Sequence, residues 1–231
     1  MCGIVGYTGS LQAKDVLLEG LKRLEYRGYD SAGIAVFDGE KLNIVKRLGK
    51  VSELVDAIGD DACLGTCGIG HTRWATHGAP SERNAHPHTS CASDIAVVHN
   101  GIIENFSELR EELIGLGHHF ESDTDTEVVA HLVEQAYNGN LLEAVRIAAS
   151  RLVGAYGLAV TCEQEPGTIV VTRKDSPIVL GHGESGSYVA SDIIAVIEAT
   201  RDVVIMEDNQ FAVMTPDAIT YFDEQGNQIE P

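Results

Sequence analysis

Short runs rich in valine and isoleucine recur along the whole chain, and they constrain the fold more than any other feature of the sequence. Each run has the length and composition of a β-strand. Two pairs of runs are separated by tight-turn residues, Asp38-Gly39 in one and Glu165-Pro166-Gly167 in the other, which predicts antiparallel hairpins. The predicted strands cover residues 4–7, 33–37, 43–45, 95–98, 156–161, 168–172, 203–206 and 218–222.

Helical periodicity is found in three segments, 16–24, 109–116 and 128–133. Asn105 and Thr124 each lie near the start of a helical segment and have a glutamate three residues later, which predicts a capping box at both starts. Because the helices fall between groups of strands, we expect an α+β fold of hairpin-built sheets covered by helices. No repeat or long linker interrupts the 231 residues, so we expect one domain spanning residues 1–231.

The charge balance excludes several classes of partner. Lys and Arg total 16 against 35 for Asp and Glu, a formal net charge of −19, which disfavours nucleic acids and anionic membrane surfaces. No run approaches the ~20 apolar residues of a membrane span, and the start lacks the pattern of a signal peptide. The odd number of cysteines, five, fits free thiols in a reducing compartment, which predicts a cytoplasmic protein.

Cys2 directly follows the initiator methionine, and so small a residue normally permits removal of Met1. The α-amine freed in this way titrates near ~7.7–8.0 and can take the proton of the thiol. The nucleophile and its base then belong to one residue. The alternative is an ordinary second residue at a disordered end, but the strand pattern at 4–7 holds Cys2 in place.

The segment 70–78 contains the only tryptophan of the chain. Arg73 is the natural fork for a substrate carboxylate, because guanidinium and carboxylate form two parallel hydrogen bonds. Trp74 could cover such a site, and Thr76 and His77 could add hydrogen bonds. The alternative is a surface cation–π contact between Arg73 and Trp74.

Two more segments offer groups that acyl transfer needs. Asn100 and Gly101 follow the strand at 95–98, and a side-chain amide beside a glycine N–H gives two converging donors for an oxyanion. Asp125 lies in the acidic segment 122–127 and could accept from a substrate ammonium. The alternatives are a plain Asn-Gly turn and a carboxylate that complements a helix dipole.

Together, these segments resemble the glutaminase domain of the class II, N-terminal-nucleophile glutamine amidotransferases. Within that class, the strings at 26–33 and 73–78 are most similar to the glucosamine-6-phosphate synthases. An amidophosphoribosyltransferase-like domain stays an alternative, as does a regulatory module that binds glutamine without cleaving it, although the intact Cys2 speaks against the module. The matching strings are Cys-Gly-Ile-Val-Gly from residue 2, His-Thr-Arg-Trp-Ala-Thr-His-Gly at 71–78, His-Asn-Gly at 99–101 and Thr-Asp-Thr-Glu at 124–127.

The resemblance implies a role for each matched residue. Cys2 is the expected nucleophile, and the Asn100 side chain and Gly101 backbone are the expected oxyanion hole. Arg73 is expected to hold the α-carboxylate of glutamine and Asp125 its α-ammonium. The loop expected to close over the substrate carries Trp74, Thr76 and His77.

The resemblance further implies an Ntn-hydrolase fold, a four-layer αββα sandwich of two antiparallel sheets. It implies no cofactor and no metal. In the full enzymes, ammonia passes to fructose 6-phosphate in sugar-isomerase domains C-terminal to the glutaminase domain, and these enzymes can form homodimers. We expect the present chain to lack the sugar-isomerase domains.

Three other patterns resemble dinucleotide-binding or metal-binding motifs, but their sequence context argues against such sites. Residues 181–186 satisfy G-x-G-x-x-G, but a strand-like run follows them instead of a helix, which predicts a glycine turn rather than a dinucleotide site. His86-Pro87-His88 and the pair Cys63 and Cys67 lack the spacing of a metal site. We therefore expect a polar loop and buried thiols at these positions.

Overall fold

The computed structural model describes residues 2–59, 62–75 and 77–231 of the chain. Its strands form two seven-stranded sheets in which all pairings between strands are antiparallel. The first sheet contains β1 (Gly3–Gly9), β2 (Ser31–Phe37), β3 (Leu42–Leu48), β4 (Cys67–Arg73), β9 (Val179–Gly183), β10 (Gly186–Ala190) and β11 (Val203–Ile205), in the order β11-β9-β10-β1-β4-β2-β3. The second contains β5 (His88–Thr89), β6 (Ile95–Ile103), β7 (Gly154–Cys162), β8 (Ile169–Lys174), β12 (Phe211–Met214), β13 (Ile219–Phe222) and β14 (Gln228–Ile229), in the order β14-β13-β12-β8-β7-β6-β5.

Helices cover the outer face of each sheet. Leucines of α1 and α2 pack on the first sheet, and apolar residues of the other three helices pack on the second. A separate core lies between the sheets and includes Ile4, Ile69, Val98 and Val171. The predicted αββα sandwich is therefore confirmed. The helices are α1 (Ala13–Leu24), α2 (Val51–Ile58), α3 (Phe106–Gly115), α4 (Glu127–Ala136) and α5 (Leu141–Ser150), with two short 3-10 turns at Glu25–Arg27 and Ile193–Ala195.

Most predicted elements are confirmed. Each of the eight predicted runs coincides with a strand, both predicted hairpins form, and the glycine segment 181–186 is the β9–β10 hairpin. The sequence did not predict β4, because Gly68 and Gly70 interrupt its apolar pattern. These glycines make room for α1: a Cβ at Gly68 would lie 3.1 Å from Leu17 Cδ1, and one at Gly70 would lie 3.0 Å from Leu21 Cδ1.

The two predicted capping boxes are wrong. The Asn105 side chain instead bonds the backbone of Arg151 and Val153 in the connection between α5 and β7. The Glu127 carboxylate accepts hydrogen bonds from the Glu121 and Ser122 N–H groups rather than from a helix N-cap. In both cases, the polar side chain fastens a neighbouring loop. As for the membrane, none of the helices within the described ranges is long and apolar enough to cross one.

Neighbouring residues on α3 provide a test of the packing. Leu113 is fully buried in the core beneath the second sheet's helices, whereas Ile114 is 53% exposed. We expect Leu113→Ala to lower the free energy of unfolding by about 2–5 kcal/mol, because it leaves a cavity. Ile114→Ala, the matched control, should change it by less than about 0.5 kcal/mol. Urea denaturation measures both, and equal effects would contradict the assigned core.

Candidate active site

The alternation of side chains along β1, β4 and β6 brings three of the predicted site residues, together with His71, which was not predicted, to one end of the space between the sheets. Alternate residues of a strand face the same side, and each site residue lies an even number of positions from a residue of the inter-sheet core. All of them therefore point inward. They are Cys2 beside β1, His71 and Arg73 on β4, and Asn100 on β6.

The Cys2 thiol lies against the backbone of the next strand. The Trp74 N–H donates to Cys2 Sγ at 3.2 Å, and the Cys2 carbonyl accepts from Arg27 Nε and Asn100 Nδ2, both at 3.2 Å. Burial raises the pKa of the Cys2 thiol, and the Trp74 N–H and the charge of Arg73 only partly oppose this. The thiol is therefore protonated at neutral pH and needs a base before it can attack.

His71 fixes the orientation of the Asn100 amide. Its Nε2 lies 2.9 Å from the His99 carbonyl and 3.0 Å from Asn100 Oδ1. A carbonyl only accepts, so Nε2 carries the proton and donates to both oxygens. The Asn100 Nδ2 group must then face Cys2. The sequence did not assign this role to His71, although His71 belongs to the string at 71–78.

Gly101 has a backbone conformation that glycine alone adopts readily. Its φ is +129°, and a Cβ there would lie 2.0 Å from the Ala155 carbonyl oxygen on β7. A side chain would therefore push β6 away from β7. Gly101 directly follows Asn100 and lines both depressions at Cys2, and its pairing with the Asn100 amide as an oxyanion hole stays a prediction.

Arg73 and Asp125 are buried charged residues, and one guanidinium nitrogen of Arg73 lacks a hydrogen-bond partner among the described residues. Arg73 is 3% exposed, and its Nη2 donates to the carbonyls of His77 and Gly78. Its Nη1 is buried and has no hydrogen-bond partner among the described residues. Asp125 is 4% exposed, and its Oδ2 accepts from the Ile103 N–H at 2.8 Å. A buried guanidinium donor without a protein partner is a group that an anionic ligand can satisfy.

Two depressions meet at Cys2. The first is a narrow recess lined by both buried charges, so it carries a cation and an anion beside the thiol. The second is a cleft of about 350 Å³ whose lining includes Cys2 and Asn100. The recess is lined by Cys2, Arg73, Trp74, His86, His99, Gly101, Thr124, Asp125 and Thr126.

The remaining predicted residues contribute less directly. Trp74 is 47% exposed and packs edge-on against Tyr29, with 5.9 Å between ring centroids. The His77 ring packs on Phe106 at 5.3 Å, and its carbonyl anchors Arg73. Thr76 lies outside the described residues. Because the Arg73 guanidinium is buried, the alternative of a surface cation–π contact with Trp74 is not supported.

Two charged residues of the string at 26–33 form hydrogen bonds with the backbone around Cys2 and Arg73. Arg27 Nη1 donates to Asp192 Oδ2 at 3.0 Å, while its Nε bonds the Cys2 carbonyl. Asp30 Oδ2 accepts from the Ala75 N–H at 2.8 Å, and its own N–H donates to the Arg73 carbonyl. Arg27 thus fixes the backbone of Cys2, and Asp30 fixes the backbone on both sides of Trp74.

Four buried histidines connect the site to the segment that carries Asp125. His86 Nε2 and His99 Nδ1 lie 2.9 and 2.8 Å from Thr126 Oγ1, and His88 Nε2 lies 3.1 Å from Thr124 Oγ1. Burial lowers the pKa of His71 to about 3, and it also lowers the pKa of the other three. The cluster is therefore neutral at physiological pH.

Comparison with known proteins identifies the family. A model of the glutamine amidotransferase domain matches residues 71–198, more than half of the chain. The chain belongs to the glutamine amidotransferase domain family. The family expected from the sequence is thus confirmed.

Curated relatives of this amidotransferase domain include two enzymes named glutamine–fructose-6-phosphate aminotransferase (isomerizing). The protein from Clostridium tetani is 49% identical over 230 residues, and that from Symbiobacterium thermophilum is 52% identical over 231. Each alignment covers 100% of this chain and 38% of the relative. The chain therefore spans about two fifths of the length of the curated relatives it matches.

A solved structure supports the fold of the amidotransferase domain. The glutamine phosphoribosylpyrophosphate amidotransferase from B. subtilis, complexed with ADP and GMP, superposes with a TM-score of 0.84 at 27% identity. The match covers 98% of this chain and 50% of that one.

The buried histidines predict a pH dependence of stability. The folded protein keeps His71, His86, His88 and His99 neutral, whereas in the unfolded chain each gains a proton below about pH 6.5. Stability should therefore fall as the pH drops, by about 1 kcal/mol for each histidine between about pH 7 and about pH 5.5. Urea denaturation at both pH values measures the change. A free energy of unfolding that stays constant would contradict the assigned neutral state.

Proposed function

We propose that this domain hydrolyses the side-chain amide of L-glutamine to glutamate and ammonia, through a γ-glutamyl thioester on Cys2. The observation that carries the proposal is the recess in which Arg73, Asp125 and Cys2 meet. The α-carboxylate and α-ammonium of an amino acid complement the buried cation and anion. Because these two groups bind the backbone end of glutamine, the side-chain amide is left to reach the thiol.

Attack on the amide requires a proton acceptor, since burial keeps the Cys2 thiol protonated. The free α-amine of Cys2, left after removal of Met1, takes the thiol proton. The sulfur then forms a bond to the amide carbon, and the carbonyl electron pair moves onto oxygen. The Gly101 N–H and the second hydrogen of Asn100 Nδ2 stabilise the oxyanion; the first hydrogen is bonded to the Cys2 carbonyl.

Collapse of the tetrahedral adduct breaks the carbon–nitrogen bond. The protonated α-amine gives its proton to the leaving nitrogen, and ammonia departs from the thioester. Water then attacks the thioester carbon while the amine takes one of its protons. The same proton passes to the sulfur as the carbon–sulfur bond breaks, which releases glutamate and restores the thiol.

The proposed use of the ammonia rests on the names of the relatives. We propose that residues 1–231 form the glutaminase domain of a glutamine–fructose-6-phosphate aminotransferase, with fructose 6-phosphate as acceptor in sugar-isomerase domains of a longer, homodimeric enzyme. Full-length coverage of this chain at about half identity supports this choice over a phosphoribosyl acceptor. The free state of all five cysteines supports a cytoplasmic location.

The nucleophile and its base can be tested separately. We expect Cys2→Ala to abolish ammonia release from glutamine. One alanine inserted between Met1 and Cys2 keeps the thiol but moves the free amine by one residue, and should lower kcat/KM at least ~100-fold because general-base catalysis is lost. Mass spectrometry establishes the N-terminus of each chain, and Cys63→Ser serves as the control. Full activity of the inserted variant would contradict the proposed base.

The carboxylate contact can be tested by changing its geometry. Arg73→Lys keeps the charge but loses the bidentate fork, so KM for glutamine should rise about tenfold or more, on the order of 1.4 kcal/mol. Arg151→Lys, at a surface pair with Glu112, is the matched control. Steady-state kinetics of ammonia release measure both. An unchanged KM in Arg73→Lys would remove Arg73 from the substrate site.

A further inference from the structure

A second cluster of ligand-type side chains lies outside the recess that holds Cys2. Its four residues contribute one potential donor atom each, and these atoms all lie within 4.8 Å of one another. The cluster combines a thiol, two imidazoles and a carboxylate, all of which are ligand types of zinc. Its members are Cys91, His118, His131 and Glu134.

We propose that this cluster is a four-coordinate zinc site. Tetrahedral bonds of zinc to sulfur, nitrogen and oxygen place sulfur and nitrogen about 3.6 Å apart, and nitrogen and oxygen about 3.3 Å apart. Cys91 Sγ lies 3.6 Å from Nδ1 of His118 and 3.6 Å from Nδ1 of His131. Glu134 Oε2 lies 3.3 Å from His131 Nδ1 and 2.9 Å from His118 Nδ1. The donor atoms therefore need only small shifts to surround the ion.

The Nε2 atom of His118 has a hydrogen-bond partner of the kind that zinc-binding histidines use, and that of His131 makes no hydrogen bond within the described part of the chain but faces a carboxylate. His118 Nε2 lies 3.0 Å from Gln135 Oε1, and His131 Nε2 lies 3.5 Å from Glu127 Oε1. An oxygen acceptor beside Nε2 favours the tautomer with its proton there, which leaves the Nδ1 lone pair for the metal. Glu127 is itself fixed, because its Oε2 accepts from the N–H and the hydroxyl of Ser122, both at 2.6 Å.

The four ligands come from three separate segments. Cys91 lies in the turn between β5 and β6, His118 in the connection between α3 and α4, and His131 and Glu134 one helical turn apart on α4. Four protein ligands leave no open coordination position, which is typical of a structural rather than a catalytic site. The zinc ion would fasten both connections to α4. The exposed Cys91 gives the ion access from solvent.

Zinc itself is the probe for the test. The chain is purified without a polyhistidine tag, stripped with a chelator under reducing conditions and dialysed against zinc, after which its metal content is measured. We expect one zinc ion per chain, and at least tenfold slower alkylation of Cys91 in its presence, as mapped by mass spectrometry. Substitution of zinc by Co²⁺ should give the visible bands of a four-coordinate ion and a thiolate charge-transfer band.

Variants with different expected losses of zinc affinity test whether zinc binds to these residues. Cys91→Ser and His118→Ala should each weaken zinc binding at least 100-fold in chelator competition, and Gln135→Ala about tenfold through the loss of its support to His118. His119→Ala, at the neighbouring histidine, and Cys2→Ser, at the thiol of the recess, should bind zinc as the unmodified chain does.

Three outcomes would overturn the proposal. The first is less than about a tenth of a zinc ion per chain, which would leave only a hydrogen-bonded network. The second is unchanged zinc affinity in Cys91→Ser. The third is loss of zinc in Cys2→Ser, which would place the ion in the recess. If Cys91→Ser or His118→Ala fails to fold, the Co²⁺ spectrum and the alkylation of the unmodified chain decide.

Discussion

The Asn100 side chain is the link on which the geometry of the site depends. Its amide bridges the two sheets, because Nδ2 donates to the Cys2 carbonyl beside β1 while Oδ1 accepts from His71 on β4. A reversed amide would place two acceptors against each other at Cys2 and two donors at His71. The buried, neutral His71 prevents this reversal. One imidazole thereby determines which atom of the Asn100 amide faces Cys2.

Much of the fold could be predicted, because most strands are runs of β-branched residues flanked by turn-forming residues. Two of the missed elements, β4 and α5, have small residues where large apolar side chains would have given a signal. In β4, alternate positions are glycines whose space is filled by α1. In α5, the buried face is formed largely by small residues, including Ala144, Ala148 and Ala149, which give a weak periodic signal. The capping predictions failed because Asn105 and Glu127 bind neighbouring loops, which local spacing does not reveal.

The candidate site, like the fold, could be predicted only in part. Arg73, Asn100 and Asp125 were predicted because their chemical types suit an amide substrate and their strings match a family. The orientation of the Asn100 amide could not be predicted, since it depends on a residue of the other sheet. The zinc ligands extend from Cys91 to Glu134 and form no spacing motif, because tertiary packing alone brings them together.

The glycines of β4 have a consequence for how the domain tolerates change. Gly68 and Gly70 leave two positions on the outer face of this strand without side chains, and Leu17 and Leu21 of α1 lie over them. A methyl group gained at Gly70 would crowd Ile34 as well as Leu21. One at Gly68 would meet the Ala35 carbonyl oxygen, so a smaller residue on α1 would not by itself make room for either. β4 ends at Arg73 and pairs directly with β1, so the strand that these glycines fit beneath α1 also carries Arg73 beside Cys2. The packing of α1 on β4 therefore limits the substitutions that this strand can accept, although α1 does not line the recess around Cys2.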